Sequence, residues 1–590
     1  VVLTDYYQNS SSLIPTDSLS PISLKAFPNT SMAEILGREN SIFIKNYGPG
    51  NIATITHRAL SAAHSGVLWN GINIQNNTLS TIDFSILPSF IFNNSAWQGG
   101  IINNPSANPS AGGNLILSNN SNKSNFISLL ADGGSFLNFG QALKAKFSQK
   151  GHLFQLGAHH RYTKNNFPIL NYEEMGLSSK YRENARQQSY GAQLDYAYFF
   201  PKYHKIHVSA WCGFTFRQVP APIYISETHA YQKDRFIRSL IGYEFEKGKH
   251  NLKIRQAFFA EDLQFKDDNQ PLSYMSFINW ISDIQYNFNI NKKSRIFLSA
   301  QYSYQLGKNT TYFNIEHSIY STLSYTYNAS KIDFRILIKP QYLSNKYFNL
   351  SPQIYTKFKT KYLELALQTG RIFRTPSMND RFWSNGGNPN LLPEDGISAD
   401  INIFSKYKNT SLSTTPYFNY LKNRIIWTPE TVFWTPQNVD NTIGAGVEVK
   451  FSQAFYFKTQ HKIEFQINYT YTYSKLIRPS QTSINGRKLI YTPEHLGGVL
   501  FAYSWKNLSI SYHQRLTSKR FTTFDNKEFL PLYTTADFAA NYTLKYKKSE
   551  INFFGNIQNI FNKYYEVVAL RPMPGIHFQL GINFLINIQK

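Results

Sequence analysis

From about residue 123 to the C-terminus, apolar and polar side chains alternate with a period of two. In residues 463–473 the odd positions are Ile, Phe, Ile, Tyr, Tyr and Tyr, and the even positions are Glu, Gln, Asn, Thr and Thr. Side chains that alternate in this way lie on opposite faces of a β-strand. Residues 206–216, 296–306 and 577–586 show the same pattern. Most of the chain is therefore predicted to form strands with one apolar and one polar face.

The length of these strands and their polar face favour a membrane barrel. Each run is about ten residues long, which is enough for a tilted strand to cross a bilayer, whereas strands of soluble sheets usually have about five or six residues. The polar faces carry Gln, Asn, Ser, Thr and Glu, which implies water inside a closed barrel. A soluble sandwich or propeller is the alternative, because its sheets also have one apolar face.

Residues 1–122 have mixed periodicity, short apolar runs and many Ser, Asn and Gly residues. Residues 31–36 are predicted to form a helix, with Thr30 or Ser31 as its N-cap and Glu34 in its first turn. The sequence Asn-Tyr-Gly-Pro-Gly at 46–50 predicts a tight turn. We interpret residues 1–27 as a flexible arm, residues 28–122 as a small α+β domain, and residues 123–590 as the barrel.

The composition agrees with spanning by strands. The 590 residues contain no run of about 18 apolar residues, so helical spans are excluded and any membrane span must be made by strands. The 40 Tyr and 46 Phe residues suit a barrel that needs an aromatic girdle at each membrane boundary.

The net charge of +24 raises the question of an anionic partner. The Lys and Arg residues are scattered through strands and turns, and no nucleic-acid-binding fold signature is present, so we expect no nucleic acid partner. Two explanations remain for the charge. Lysine-rich composition of solvated loops is one, and attraction to the phosphates of anionic lipid or lipopolysaccharide at the barrel rim is the other.

The sequence contains no constellation of catalytic residues. It has no nucleophile elbow, Walker loop or His-Glu-x-x-His motif, so we expect neither enzyme activity nor a cofactor. His159 and His160 are neighbours on a strand and face opposite ways, and no acidic loop has calcium-binding spacing, so no metal site is predicted. The single cysteine, Cys212, excludes an internal disulfide.

The N-terminal domain resembles the plug of TonB-dependent receptors. The similar segments are residues 31–36, 42–50, 55–58, 67–73 and 83–88, in the order and spacing of the family. In the barrel, Phe-Arg-Thr-Pro-Ser-Met-Asn-Asp-Arg-Phe-Trp at 373–383 and Gly-Asn-Pro-Asn-Leu at 387–391 resemble the family's most recognisable stretch. Residues 427–429, 434–439, 489–495 and 559–565 are similar to the branch of cobalamin receptors.

The resemblance covers about residues 30 to 586 and implies an all-β membrane protein of the cell outer membrane. Its expected fold is a 22-stranded antiparallel transmembrane β-barrel with the α+β plug domain in its lumen. Roughly 470 residues at about 21 per strand and turn accommodate that count. The resemblance also implies active import that is energised by TonB and its inner-membrane complex. The segment Val1, Val2, Leu3 and Thr4 resembles the hydrophobic-Thr segment that such receptors offer to TonB.

The resemblance assigns ligand contacts to two apical plug loops. The candidate residues are Tyr47, Gly48, Asn51, Gln75, Asn76, Asn77 and Thr78. The tyrosine offers a stacking face, and the amides offer donors and acceptors to a large, neutral, polar ligand such as cobalamin or another corrinoid. Ordinary turn chemistry is the alternative explanation, because tight turns require Gly, Pro and Asn in any case.

Two local departures accompany the resemblance. The family usually has Arg-Gly where this chain has Arg58 and Ala59, and the plug's closing strand is only weakly recognisable at residues 112–117. The same branch also accepts a siderophore, haem or an oligosaccharide as ligand, and a surface lipoprotein as a partner. A structural barrel that has lost transport and a passive porin are further alternatives, although the plug-like order of residues 30–122 disfavours the porin.

Overall fold

The structure is a computed structural model, and it describes residues 17–39, 42–101, 111–119, 125–170, 179–224, 228–384, 386–429, 434–457, 460–478 and 484–588. These residues form a closed barrel and a smaller mixed domain that fills its lumen. The expected TonB-binding segment, residues 1–4, and the expected domain boundary between residues 122 and 123 lie outside the described residues.

The plug is built from two helices and seven strands. The helices are α1 (Pro21–Ala26) and α2 (Met32–Glu39). The strands are β1 (Asp17–Ser18), β2 (Phe43–Asn46), β3 (Ala53–Thr56), β4 (Ser65–Trp69), β5 (Ile72–Asn73), β6 (Asn94–Gln98) and β7 (Gly113–Ser118). Five of them form a sheet in the order β1-β6-β7-β4-β5, in which β4 and β7 are parallel, while β2 and β3 form a separate hairpin.

Local sequence accounts for both helices. Ser20 Oγ accepts a hydrogen bond from Ile22 N at 3.1 Å, and proline occupies the first turn of α1, where its missing N–H costs nothing. The N–H of Glu34 donates to Ser31 Oγ at 3.4 Å before α2. The helix predicted at residues 31–36 is therefore present and continues to Glu39.

The interpretation of residues 1–27 as a flexible arm needs correction. β1 pairs with β6, and α1 packs into the plug core with Leu19, Ala26 and Phe27 buried. The sequence pattern of a buried helix is hard to recognise here, because the buried residues of α1 are the small residues Ser23 and Ala26. The plug therefore begins no later than Asp17, and only residues before it remain as a candidate arm.

The barrel contains 22 strands, as the sequence predicts. They are β8 (Asn125–Gly134), β9 (Asn138–Gln149), β10 (His152–Thr163), β13 (Gln187–Phe199), β14 (His204–Gln218), β15 (Tyr231–Lys247), β16 (His250–Lys266), β17 (Ser273–Asn289), β18 (Ser294–Asn309), β19 (Phe313–Asn328), β20 (Ile332–Leu343), β21 (Tyr347–Lys359), β22 (Leu363–Arg374), β23 (Glu394–Tyr407), β24 (Thr410–Pro429), β25 (Trp434–Phe457), β26 (His461–Ile477), β27 (His495–Trp505), β28 (Leu508–Thr517), β31 (Tyr533–Tyr546), β32 (Ser549–Gln558) and β35 (His577–Ile588).

Short elements lie in three of the loops. They are the strands β11 (Pro168–Leu170), β12 (Ser179–Tyr181), β29 (Arg520–Phe521), β30 (Phe529–Leu530), β33 (Glu566–Val568) and β34 (Arg571–Pro572). A fourth loop, between β22 and β23, carries helix α3 (Met378–Phe382), which is closed by a capping box between Ser377 and Asp380.

The barrel closes on itself. All neighbouring barrel strands are antiparallel, and β35 pairs with β8 from Gln579 opposite Gly134 to Ile588 opposite Asn125. Closure removes sheet edges and satisfies the backbone without water, which is the condition for strands to cross a bilayer. The fold class predicted from the sequence is confirmed.

The two ends of the barrel differ. At one end, which we call the short-turn end, ten connections of two to four residues join the strands, and both barrel termini lie there. At the other, the loop end, the connections reach 23 residues between β10 and β13. Barrels of this kind have short periplasmic turns and longer extracellular loops. By this pattern the short-turn end corresponds to the periplasmic end of such barrels.

The side chains follow the predicted alternation. Apolar residues of the strands face outward, and the polar residues between them face the plug and are buried, among them Gln155, Gln193, Asn279, Gln301 and Gln353. Among the described residues, no helix is long and apolar enough to cross a membrane.

One side of the plug packs against an apolar area of the barrel wall. The ring of Trp69 lies 5.9 Å from that of Trp211 and 6.3 Å from that of Phe259, centroid to centroid. Phe92 meets Trp211 edge to face at 5.2 Å. These residues belong to one hydrophobic cluster that includes most of the plug core, so the plug and this part of the wall share a core.

Candidate functional site

Two plug loops reach the loop end of the barrel. The loop between β2 and β3 receives a hydrogen bond from Asn165 Nδ2 to the carbonyl of Pro49 at 3.1 Å. The loop after β5 receives one from the N–H of Met378, in α3, to the carbonyl of Asn77 at 3.2 Å. Both donors lie in long connections of the barrel. The candidate ligand residues on these loops therefore lie at the loop end of the barrel.

The first loop is the tight turn that its sequence predicts. Gly48 and Gly50 have φ of +121° and +73°, a region that favours glycine. The N–H of Asn51 donates to the carbonyl of Gly48 at 3.0 Å, and the Asn51 side chain is buried. Asn51 thus stabilises the turn, whereas the half-buried Tyr47 retains an accessible face.

The amides of the second loop have hydrogen-bond partners within the protein. Gln75 Nε2 donates to the carbonyl of Ser80 at 2.5 Å, and Asn76 Nδ2 donates to Glu261 at 3.1 Å. Asn77 Nδ2 donates to Gln305 Oε1 at 2.6 Å. Thr78 is buried and donates to Asn76 Oδ1. Gln75 is satisfied within the plug, and Asn76 and Asn77 by the barrel wall, so the assignment of these residues to ligand contacts stays a prediction.

The side chains that the two loops expose are apolar. Ile52 and Leu79 are 39% and 38% exposed. They line a cavity between the plug and the wall, together with Ile82, Phe236 and Asp262. The plug apex therefore offers an apolar surface beside polar wall residues, which suits a ligand with a large ring or alkyl area.

Basic and aromatic side chains gather around the first loop. Lys45 Nζ lies 5.3 Å from the ring centroid of Tyr47 and 4.3 Å from that of Tyr491. The guanidinium of Arg182 lies over Gly48, and Arg571 adds positive charge beside Tyr47. These side chains form what we call the apical basic cluster, Lys45, Arg182 and Arg571, which favours anionic or aromatic groups of a ligand.

Arg182 has spare hydrogen-bonding capacity. Its Nη1 donates to the carbonyl of Pro572 at 3.3 Å, but Nη2 is buried with no hydrogen-bond partner in the part of the chain that the structure describes. Burial, reinforced by the charge of Arg571, lowers the pKa of Arg182 to about 10. An acceptor on a ligand would satisfy Nη2 and relieve this cost.

Buried ion pairs hold the plug to the wall. Arg58 donates to both carboxylate oxygens of Glu448, at 2.8 and 2.7 Å, and to Asp400 at 2.8 Å. Burial opposes the charge of Arg58, but the two carboxylates outweigh it and raise the pKa of the guanidinium above its usual range. His57 Nε2 lies 2.7 Å from Glu448. Fork geometry of this kind fixes orientation as well as position.

Two further contacts tie the plug to other strands. Arg38 of α2 pairs with Asp537 of β31 at 3.1 Å. His64 Nε2 lies 2.7 Å from Glu394 of β23, and burial lowers the pKa of His64 although Glu394 acts against the shift. Charged or hydrogen-bonded contacts therefore hold the plug to β23, β25 and β31.

Cavities lie between the plug and the wall near these contacts. One cavity lies between the plug and strands β22 to β26, beside Arg58, Asp17 and Lys450. Another cavity lies beside β2, and its lining includes Glu39 and Pro49 on either side of that strand. An ion pair and a cavity also lie near the Trp69 cluster, where Arg217 pairs with Asp83 of the plug at 2.7 Å, so polar and apolar contacts both hold the plug on that side.

Local sequence contains little indication of these contacts. Arg58 is separated from Glu448 by 390 positions, and Arg182 and Arg571 are unremarkable loop residues until the loops meet. The only local indication is the pair Arg58 and Ala59, where the family usually has Arg-Gly. Both residues have positive φ, 54° and 62°. Within the described ranges, no group of three or more His, Cys, Asp or Glu side chains is arranged to hold a metal ion.

The sequence matches a known protein family and several curated proteins. The family model "TonB dependent receptor-like, beta-barrel" matches residues 73–560. The vitamin B12 transporter BtuB of Vibrio vulnificus (strain YJ016) is 35% identical over 91 residues, 15% of each chain. BtuB of Photobacterium profundum is 27% identical over 218 residues, 35% of this chain and 32% of that protein. The matches thus span a third or less of these curated relatives.

Solved structures share the fold at low identity. The siderophore receptor PirA from Acinetobacter baumannii superimposes with a TM-score of 0.81 and 12% identity, covering 99% of this chain and 100% of that chain. The FrpB iron transporter from Neisseria meningitidis (F3-3 variant) gives 0.79 and 12%, covering 97% and 99%. The copper transporter OprC gives 0.81 and 11%, with the same coverage. With the barrel, the plug and the family match in hand, the chain belongs to the TonB-dependent receptor family.

Proposed function

We propose that this protein is an outer-membrane receptor that imports a large, scarce nutrient with energy supplied through TonB. The observation that carries the proposal is a lumen filled by a plug that buried ion pairs beside cavities hold to the wall. A passive porin needs an open lumen. A plug that must yield for passage, in a chain without a motor of its own, requires work from a partner across the periplasm.

The first candidate ligand is cobalamin or another corrinoid. Its support is the partial sequence similarity to vitamin B12 transporters and an apex that pairs the exposed Ile52 and Leu79 with the accessible face of Tyr47. A large ring system fits such a surface. The engaged amides of Gln75, Asn76 and Asn77 shift the expected contacts from hydrogen bonds toward apolar and stacking ones.

The second candidate is an anionic metal chelate such as a ferric siderophore. The apical basic cluster favours it, because Lys45, Arg182 and Arg571 surround Tyr47 and Arg182 Nη2 has no hydrogen-bond partner among the described residues. Haem and an oligosaccharide remain further ligands of the same fold. A barrel that has lost transport would bind ligand or a surface lipoprotein without uptake.

Ligand binding to the purified protein separates these candidates. Titration with cobalamin, haem and ferric siderophores should give one class with high affinity. The double variant Arg182→Ala, Arg571→Ala should weaken a chelate by more than tenfold, whereas cobalamin should change little. Tight binding of none of these ligands would contradict both the corrinoid and the chelate proposal, and a tenfold loss for cobalamin would contradict the apolar contact surface.

Uptake tests the role of the arm. If residues 1–4 pair with TonB by adding a strand, the backbone matters more than the side chains. Leu3→Pro removes a backbone donor and fixes φ, so it should abolish uptake while ligand affinity stays unchanged. Leu3→Ala is the matched control and should be mild. Uptake by the proline variant at the normal rate would exclude this segment as the TonB contact.

A further inference from the structure

The short turns of the barrel carry a single sign of charge. The nine short turns that the structure describes in full contain eleven lysines and neither Asp nor Glu. The lysines are Lys150, Lys202, Lys249, Lys292, Lys293, Lys331, Lys361, Lys408, Lys506, Lys547 and Lys548. All of them are exposed. We call this set the lysine rim.

The loop end is different. Its described connections contain 14 Lys and Arg residues together with eight Asp and Glu residues. The excess of unopposed lysine is therefore a property of one end of the barrel. Basic composition alone would distribute it over both ends.

The rim lysines have no carboxylate partners among the described residues. Two acidic side chains near this end are paired with lysines of the strands instead. Glu244 pairs with Lys253 at 2.8 Å, and Asp333 pairs with Lys359 at 2.8 Å. Four rim lysines lie over an adjacent aromatic ring at 5.0 to 5.4 Å, namely Lys361, Lys408, Lys506 and Lys547. Their charge is available to an external anion.

A repeated histidine cluster lies beside the rim. Four strands begin with a histidine directly after a short turn, His152, His204, His250 and His461. Each Nδ1 lies 2.7 to 3.0 Å from a tyrosine hydroxyl on the next barrel strand. Each imidazole also lies 4.5 to 5.8 Å from the aromatic ring directly opposite. When the hydroxyl donates to Nδ1, Nε2 keeps its proton as a donor.

These clusters mark a membrane boundary. On β26, His461 belongs to the cluster at the short-turn end, and Tyr471 contacts His495 near the loop end. Ten residues at 3.4 Å each, tilted by about 40°, span about 26 Å. That is about the height of the apolar band of such barrels. The lysine rim therefore lies at headgroup level of the periplasmic leaflet, where amphipathic side chains anchor a protein.

We propose that the lysine rim, with its histidine and tyrosine clusters, binds the phosphates of anionic phospholipids in the periplasmic leaflet. Charge complementarity identifies the partner, since unpaired ammonium groups at headgroup depth attract anionic lipid. The clusters add N–H donors to phosphate or ester oxygens at the same depth. Lipopolysaccharide, which the net charge also suggested, would contact the loop end, where charges of both signs alternate. This surface is independent of the nutrient that the receptor carries.

The experiment compares two fourfold variants of the full chain. The rim variant is Lys249→Gln, Lys408→Gln, Lys506→Gln and Lys547→Gln. The loop-end control is Lys164→Gln, Lys346→Gln, Lys519→Gln and Lys563→Gln, four exposed lysines at the other end. Each protein is reconstituted in phosphatidylcholine vesicles with or without phosphatidylglycerol as the anionic component. Native mass spectrometry counts retained phosphatidylglycerol, and the midpoint of heat unfolding is measured in both vesicles.

Phosphatidylglycerol should raise the unfolding midpoint of the original protein and of the control. The rim variant should retain less than half as much phosphatidylglycerol and lose most of the increase, while it unfolds normally in phosphatidylcholine. Equal retention by the rim variant, or an equal loss in the control, would overturn the proposal. So would a rim variant that loses bound lipopolysaccharide, added in a third arm, but keeps phosphatidylglycerol.

Discussion

Ala59 occupies a backbone conformation that favours glycine. Its φ is +62°, and its methyl group is buried among Val439, Leu476 and Leu489. An L-residue in this region costs roughly 1–2 kcal/mol. The carbonyl of Ala59 accepts a hydrogen bond from Arg424 at 2.8 Å. The turn that places Arg58 against Glu448 is thus held by packing on the wall.

Gly444 of β25 is the wall residue that allows this packing. A methyl group at Gly444 would meet the Ala59 Cβ at 2.7 Å and the Arg58 carbonyl at 3.0 Å. We expect Gly444→Ala to destabilise the docked turn by about 1–3 kcal/mol. Hydrogen exchange of residues 55–60 measures the effect. Ala59→Gly in the same chain should restore part of the protection.

The control for that substitution is Gly498→Ala. A methyl group at Gly498 also faces the plug, but its nearest neighbours lie 3.8 and 3.9 Å away, which is ordinary contact. Protection of residues 55–60 should be unchanged in this variant. Equal loss of protection in both variants would show that wall glycines affect the plug for some reason other than contact with Ala59.

Glu39 should make the plug sensitive to pH. Burial raises its pKa from 4.5 to about 7. Between these values the folded plug holds a proton that the unfolded chain releases, so stability falls as pH rises from about 4.5 to 7. The resulting loss of unfolding free energy is about 1–3 kcal/mol. The full pKa shift corresponds to the upper value, and partial contact of Glu39 with solvent reduces it to the lower one.

The segment that should respond is α1, because the N–H of Ser20 donates to Glu39 at 2.7 Å. Hydrogen exchange of residues 17–27 should therefore be faster at pH 8 than at pH 5, after correction for intrinsic rates. Glu39→Gln should remove this difference. Glu34→Gln, on the same helix, is the control and should keep it. A pH-independent wild-type chain would contradict the burial argument.

The sequence predicts the strands and their two faces better than any other feature of the molecule. The apolar face of each strand meets lipid and the polar face meets the plug, so the environment repeats every two residues and leaves the period-two pattern. In β26, Thr470, Thr472 and Ser474 are buried inside while Tyr473 is exposed outside. Residues 17–27 were misjudged because their burial depends on β6 and on the wall, neither of which shows in the local pattern.

The face assignment of β26 gives a direct test. Ile467 lies between the clusters of His461 and Tyr471 on the odd, outward face, and Gln466 lies on the inward face. Ile467→Lys should cost about 2–4 kcal/mol because it brings a charge toward the bilayer centre. Gln466→Lys is the matched control and should cost much less. Unfolding curves in vesicles measure the cost of both substitutions. Coincident curves would show that the two faces of β26 are reversed or that the strand does not meet lipid.

Across the whole molecule, the sequence predicts the barrel better than the contacts between the barrel and the plug. Closure into 22 strands follows from strand number and from the resemblance in the barrel. The pairing of Arg58 with Glu448 and Asp400, and of Arg182 with the carbonyl of Pro572, joins residues hundreds of positions apart. Such pairs leave no periodic trace in one sequence. The contacts of Asn76 with Glu261 and of Asn77 with Gln305 are equally invisible in the local sequence.

The barrel should remain folded without the plug. The ladder between β35 and β8 closes the sheet without any plug residue, so backbone hydrogen bonding does not need the plug. Because the plug begins no later than Asp17, the deletion should remove residues 1–119. We expect a heat-resistant barrel whose passive conductance in planar bilayers is far above that of the intact protein.

The deletion also uncovers the apolar part of the wall, since Trp211, Phe259 and Ile281 are buried by the plug. Some loss of thermal stability is therefore expected even if closure is independent of the plug. The matched variant is Arg58→Ala, which removes one tie but leaves the shared core of Trp69 and Trp211, so it should stay nearly non-conducting. A deletion variant that fails to insert would show that the plug is needed to close the barrel, and one that inserts but conducts no better than the intact protein would show that something other than the plug blocks the lumen.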